Sequence, residues 1–198
     1  MPRDVGARGG GRRMGAADTG TSIVNIDGST LGELFLPCRA CVYWERPGQF
    51  REAPPEEAER LKAGWFRATA EQFDPCGKLL YVDDEPAAYC QYAPPECVPG
   101  ILEYDELAAR VDKDGVFISC LFVREGHRGK GLGPRLLKDV IEDLRNRGCK
   151  AVETFARDDS DNNCSGPTRL YLAQGFRIIA SKASPQGTFS LVRLDLGG

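Results

Sequence analysis

The run Val116-Phe117-Ile118-Ser119-Cys120-Leu121-Phe122-Val123-Arg124-Glu125-Gly126-His127-Arg128-Gly129-Lys130-Gly131-Leu132-Gly133 decides how the chain is read. Its first part, Val116 to Val123, is β-branched, aromatic and apolar without a break, as expected of a strand buried on both faces. It ends in glycines alternating with cations, from Arg128 to Gly133. Leu136, Leu137, Val140, Ile141 and Leu144 then recur at helical spacing, with Lys138, Asp139, Glu142, Asp143 and Arg145 between them. The local order is therefore strand, glycine-rich turn, helix. N–H groups in the first turn of a helix lack intrahelical partners and lie at the positive end of its dipole, so a glycine-rich approach lets an anion reach them. Arg128 and Lys130 add full charge, which points to a phosphate or pyrophosphate ligand. A purely structural connection is the alternative. The Walker loop is excluded because Lys130 precedes Gly131 rather than Ser or Thr, and Gly129, Gly131 and Gly133 miss the register of the dinucleotide fingerprint.

Arg128-x-x-Gly131-x-Gly133 resembles the R/Q-x-x-G-x-G/A pyrophosphate loop of the GNAT N-acyltransferases, which follows the fourth strand of that fold and opens its third helix. Downstream, Leu170-Tyr171-Leu172-Ala173-Gln174-Gly175-Phe176 is similar to the family's L-Y-x-x-x-G-F. The resemblance is clear from about Lys78 to Leu196 and weaker before. It implies an α/β (α+β) GNAT fold, a mixed twisted sheet of about six to seven strands flanked by about four helices. It also implies acetyl-CoA as acyl donor and an amine acceptor. Cys38-x-x-Cys41-x-Tyr43-Trp44-Glu45 looks like a C-x-x-C-x-Y-W-E stretch near the start of one bacterial and archaeal branch of GNAT-like proteins.

The 198 residues suffice for one domain with a sizeable core, and 41% hydrophobic with 28% charged residues is a globular composition. Residues 1–21, rich in Gly and Arg, are expected to be a disordered tail, leaving 22–198 as a single domain. No apolar run is long enough for a membrane span, and the arginines near the start lead into no apolar stretch of a signal peptide. A cytoplasmic location is expected, with no membrane partner and a monomeric or homodimeric state. A net charge of −3 argues against general nucleic-acid binding. The eight cysteines read as thiols, chiefly as small buried apolar residues. Cys38-x-x-Cys41 also has the spacing of half a zinc site or a redox pair, although no metal is expected.

Along the chain, Ile23 to Ile26 reads as a first strand, Thr30 to Phe35 as a short helix and Pro54 to Phe73 as an amphipathic helix. Leu79 to Val82 and Ala87 to Tyr92 form a hairpin around Asp83-Asp84-Glu85-Pro86. The acidic segment with Glu103, Asp105 and Glu106 reads as a solvated loop that also suits steering of a cationic acceptor. Lys150 to Ala156 is a strand, Thr168 to Ala173 a short helix, and Gly175 to Ala180 and Thr188 to Leu194 the last two strands.

The resemblance assigns roles residue by residue. The loop Arg128, Gly129, Lys130, Gly131, Leu132 and Gly133 holds the pyrophosphate. Leu121, Phe122 and Val123 flank the pantetheine arm, with a backbone amide there as oxyanion donor. Tyr171 matches the tyrosine that faces the CoA sulfur and is the candidate general acid, with half-buried packing as its alternative. The family's glutamate near the start of the fourth strand falls on Phe117 here. Glu153, a carboxylate in the otherwise apolar Ala151-Val152-Glu153-Thr154-Phe155, is the substitute base; an ion pair with an arginine or an ordered-water relay are the alternatives. The family's asparagine seven residues before the tyrosine falls on Cys164, with Asn163 beside it as the replacement contact. Tyr43, Trp44 and Glu45 are candidate acceptor contacts, with core packing as the alternative for the aromatics. A transferase using another acyl donor, or a non-catalytic CoA-binding module, is the rival reading of the whole chain.

Overall fold

The computed structural model describes residues 20–158, 164–185 and 187–197. Among them seven strands form one sheet in the order β1-β2-β3-β4-β5-β7-β6. The strands are β1 (Thr21–Asn25), β2 (Gly77–Val82), β3 (Glu85–Ala93), β4 (Val116–Val123), β5 (Ala151–Arg157), β6 (Arg177–Ser184) and β7 (Gly187–Asp195), with helices α1 (Pro55–Ala70), α2 (Leu132–Asn146) and α3 (Thr168–Leu172). Neighbours pair antiparallel, except β4 and β5, which run parallel. The sheet is thus mixed, as the sequence suggests, and beside the three α-helices the segment from Pro99 to Arg110 is the longest of the 3-10 segments among the described residues. The strand Val116–Val123 has the bounds expected from its composition.

Helices α2 and α3 cover one face of the sheet. Leu136, Leu137, Val140, Ile141 and Leu144 of α2 pack there against Cys90, Tyr92, Ile118 and Val152. Helix α1 covers the other face, where Phe66 meets Leu79, Tyr89 and Cys120. The Pro99–Arg110 segment shares that second face, placing Ile101 and Leu107 against Trp44, Phe117 and Phe155. The expected acidic loop is therefore an anchored element. Ile101 and Leu107 are buried, while Glu103, Asp105 and Glu106 face solvent. Asp105 has φ +47, which breaks the segment into two turns.

Two local features shape the functional end of the sheet. In the β3–β4 ladder Gln91 pairs with Cys120 and Tyr92 with Ile118, leaving Ser119 as an extra residue. This bulge resets the alternation, so Phe117, Cys120 and Phe122 all face the α1 side, while Ile118 and Leu121 face α2. Second, β4 pairs with β5 only through Val116↔Val152 and Phe117↔Glu153, after which the strands separate. The backbone groups left in the wedge are met from elsewhere. Thr154 Oγ1 donates to Ile118 O at 2.7 Å, Leu121 N to Cys164 O at 2.7 Å and Arg157 N to Gly166 O at 3.2 Å.

Leu137 lies fully buried between α2 and the sheet. Leu137→Ala is expected to lower unfolding free energy by about 2–5 kcal/mol, with the urea midpoint falling and its slope unchanged.

Candidate active site

Three cavities meet around residues 164–167, which fill the wedge between β4 and β5. The first, of about 490 Å³, runs from Leu121, Phe122 and Val123 along Arg128, Gly129, Gly131 and Gly133 to Gly166 and Leu170. Its floor is the start of α2. Gly131 caps the helix at φ +76 and Gly129 has φ +73, conformations that a side chain disfavours. A Cβ on either glycine would meet no atom within 4 Å, so the loop presents bare backbone to the groove. Arg128 lies over the Phe122 ring, 5.4 Å from its centroid, and its Nε donates to Val123 O at 3.1 Å. His127 lines the same groove, and its Nδ1 is buried with no hydrogen-bond partner among the described residues. A buried orphan nitrogen beside a free helix N-terminus suits an anionic ligand of pyrophosphate type. Of the loop residues expected here, Lys130 is exposed and does not line the groove. Asn163 lies outside the described residues.

Tyr171 does not itself line the groove but lies behind Gly166, which does. It is fully buried, packs edge-on to Phe176 at 5.2 Å, and its hydroxyl donates to Ser165 O. Gly166, which lines the groove, lies directly beside it: a Cβ there would sit 3.7 Å from the Tyr171 hydroxyl oxygen. Burial pushes the phenol well above its ordinary value, so Tyr171 holds its proton at neutral and moderately alkaline pH. The L-Y-x-x-x-G-F pattern has a local physical basis. Gly175, at φ +90, turns the chain so that Phe176 folds back onto Tyr171 and its N–H meets Tyr171 O.

The second cavity, about 600 Å³, lies on the α1 side of β4 and is lined by Cys38, Cys41, Cys120, Cys164, Trp44 and Lys62 among others. It shares Phe122 and Arg128 with the first. Beneath it Glu45 Oε1 accepts from Lys62 Nζ and, at 2.7 Å, from Gln91 Nε2, while Tyr89 donates to Gln91 Oε1. Burial opposes the Lys62 charge, but the Glu45 carboxylate together with the neighbouring Cys41 and Cys120 raises the ammonium above its ordinary value. Glu45, placed among the acceptor contacts by the sequence, lines none of the three cavities and instead anchors the cavity-lining Lys62 from behind. Among the described residues no cluster of three or more His, Cys, Asp or Glu side chains is arranged to hold a metal ion.

The third cavity, about 460 Å³, shares Cys41 and Cys164 with the second and is walled by Tyr43, Tyr104, Phe189, Glu103 and Asp105. Tyr104 stacks on Trp44 at 5.4 Å and on Phe155 at 4.3 Å. Asp105 pairs with Lys182 at 3.0 Å, whereas Glu103 has no ion-pair partner among the described residues. The sequence singled out Tyr43 and Trp44 as acceptor-wall candidates but saw no packing role for Tyr104. Gly100 fixes this wall: its N–H donates to Trp44 O at 2.8 Å, and a Cβ there would lie 2.7 Å from Trp44 Cα.

Glu153 lies elsewhere. It sits at the paired end of β5, four residues or about 13 Å of strand from Arg157, and lines none of these cavities. Its Oε2 accepts from Asp112 N at 2.8 Å and its Oε1 from Arg193 at 3.2 Å. Burial raises its carboxyl above the ordinary value, opposed by those two hydrogen bonds. Of the expected alternatives at Glu153, the ion pair with an arginine is what the fold builds, away from the three cavities.

A mixed sheet that splays between its parallel strands, with a glycine-rich helix start at the mouth of the wedge, is an acetyltransferase architecture. The chain belongs to the acetyltransferase (GNAT) family, whose model matches residues 39–176. A curated relative, the chloroplastic GCN5-related N-acetyltransferase 4 of Arabidopsis thaliana, is 34% identical over 91 residues; the match covers 41% of this chain and only 30% of that protein. Among solved structures, arylalkylamine N-acetyltransferase 2 of Aedes aegypti superposes with a TM-score of 0.64 at 12% identity, over 90% of this chain and all of its own. The Salmonella typhimurium protein yncA, solved with its cofactor acetyl-CoA, gives 0.60 at 19% identity, covering 89% and 94%. At such identities these two report the fold. No helix among the described residues is long and apolar enough to cross a membrane.

Glu153→Gln keeps the shape and one acceptor of the buried carboxylate. Its kcat is expected to stay within about threefold of the parent, because proton transfer typically contributes 10²–10⁴-fold and Glu153 supplies none of it. A loss of that size in a variant with unchanged circular dichroism would restore Glu153 as base.

Proposed function

We propose that the chain transfers an acetyl group from acetyl-CoA to a primary amine by direct attack within a ternary complex. The observation that carries this reading is the groove in which the start of α2, Arg128 and His127 lead to Gly166 and the Tyr171 hydroxyl. The acetyl-CoA in the yncA structure supports the choice of donor. On this reading the N–H groups of Leu132 and Gly133 hold the pyrophosphate, with Arg128 adding its charge. The pantetheine arm lies along Leu121 to Val123, taking the place that the Cys164 carbonyl holds at Leu121 N. That amide then donates to the thioester carbonyl as negative charge develops on it. Tyr171, kept protonated by burial and lying behind groove-lining Gly166, protonates the departing thiolate.

The acceptor enters by the third cavity. Tyr43, Tyr104 and Phe189 offer an apolar, aromatic wall and Glu103 a carboxylate at its mouth, a combination matched to a cationic amine with an apolar or aromatic body. The Aedes neighbour acts, by its name, on arylalkylamines, in keeping with this class. Glu103 holds the amine cation, and the amine proton leaves to ordered water, since Glu153 is committed to Arg193.

Isothermal titration with acetyl-CoA and free CoA, followed by thiol release across an amine panel, tests the reading. Tyr171→Phe should lower kcat about 10²-fold or more with acetyl-CoA affinity unchanged. Glu103→Gln should raise the amine KM about tenfold with little change in kcat, as for a lost charged hydrogen bond made equally in ground and transition states. Absence of CoA binding, or full turnover by Tyr171→Phe, would remove the proposal. Because the Tyr171 phenol sits well above 10.0, its ordinary value, the rate should rise with pH as the amine loses its proton and show no fall from Tyr171 below pH 10.

A further inference from the structure

The Cys38-x-x-Cys41 motif suggests that its two cysteines pair with each other, but the fold gives Cys38 a different neighbour. Cys38 and Cys41 flank a single 3-10 turn, with Cys38 buried against β4 and Cys41 set between the second and third cavities. Cys38 packs in one buried cluster with Cys120, from the middle of β4, and both line the second cavity. The Ser119 bulge is what turns Cys120 toward this face. Lys62, Tyr89, Cys41 and Cys164 line the same cavity, and Glu45 accepts from Lys62. The contact with Cys120 lowers the Cys38 thiol first, and the Lys62 ammonium lowers it further against burial. Cys120 is held well above the ordinary value, by Cys38 and by burial. Cys38 is thus the more readily ionised thiol of the two, and Cys120, in the same buried cluster and cavity lining, is placed to resolve the product.

We infer that Cys38 and Cys120 are a modification site, a thiol pair that hydroperoxides oxidise reversibly to a disulfide, pinning the Pro37–Glu45 wall to β4 across the second cavity. The Cys38 thiolate attacks one peroxide oxygen and breaks the O–O bond, giving a sulfenic acid and releasing water once hydroxide takes up a proton. The Cys120 sulfur then attacks the sulfenic sulfur, its S–H proton leaving with the hydroxyl as a second water. Two thiols and one hydrogen peroxide become one disulfide and two waters. The oxidant is the two-electron acceptor, and a dithiol reverses the step by exchange. Because Phe122 and Arg128 line both this cavity and the donor groove, the bridge ties together the surfaces between which acyl transfer takes place. That consequence rests on the function proposed above, whereas formation of the bridge does not.

Tryptic mapping resolves the pair, because cleavage after Arg39 separates Cys38 from Cys41 and Cys120 falls in the peptide ending at Arg124. The full-length protein is treated with a few equivalents of hydrogen peroxide, its remaining thiols are blocked with N-ethylmaleimide, and it is digested without reductant. The expected result is a cross-link between the Cys38 and Cys120 peptides, reversed by dithiothreitol, lost in Cys38→Ser and Cys120→Ser, and kept in Cys41→Ser. Acetyl transfer by the oxidised parent should fall and return on reduction, each variant being compared with its own reduced form. A Cys38–Cys41 or Cys38–Cys164 link, Cys38 oxidised without a bridge, or no reaction would overturn the inference. A mapped bridge with undiminished turnover would overturn its effect on the site. If no amine is acetylated by the reduced protein, the functional proposal fails, while the peptide map still decides the thiol pair.

Discussion

The parting of β4 from β5 after two paired residues is the constraint on which the rest depends. Parallel strands that stay paired leave no room between them. Strands that part leave backbone N–H and C=O groups which must find other partners or bear a desolvation cost of several kcal/mol each. Here Thr154, Cys164 and Gly166 supply those partners. Two of the three contacts come from a loop rather than from the sheet, so they are replaceable by a ligand of similar hydrogen-bonding capacity. The wedge is thus satisfied without a donor and still able to receive one. The same parting puts the end of β4 at the start of α2, where the positive end of the helix dipole lies.

On the α1 side, the wall of the site is anchored in the interior. Glu45, Lys62, Gln91 and Tyr89 form a buried network linking the wall, α1 and β3. A buried ion pair of this kind adds little net stability, because desolvation offsets the attraction, but removing one partner strands the other. Its effect is therefore positional: with the Gly100–Trp44 hydrogen bond and the Trp44–Tyr104 stack, it fixes where the aromatic wall stands.

Much of this was legible in the sequence because it is locally encoded. The β4–α2 unit announces itself through an apolar run, a glycine-rich turn and helical spacing, and Gly175 with Phe176 marks the end of α3. What escaped the reading depends on residues far apart in the chain. The Ser119 bulge decides which face Cys120 occupies, and nothing in Val116–Val123 betrays it. Glu153 stands out as an acid in an apolar strand, but its partner Arg193 is distant in sequence and the strand's parity does not say which end of the sheet is functional. The segment from Pro99 to Arg110 reads as a solvated acidic loop, because 3-10 turns broken at Asp105 carry no 3.6-residue periodicity. Tyr104 went unnoticed with it, and Glu103 was legible only as one of several solvated acids. The wall segment, where the resemblance was weaker, nonetheless falls within the family match that begins at residue 39.

The central claim is that the wedge and the start of α2 form the donor site, and amide hydrogen exchange with and without acetyl-CoA tests it most directly. Saturating acetyl-CoA should slow exchange in peptides covering Leu121 to Val123 and Arg128 to Arg135, leaving β1 and β2 unchanged. Protection confined to other parts of the sheet, or none under conditions where titration detects binding, would contradict the account.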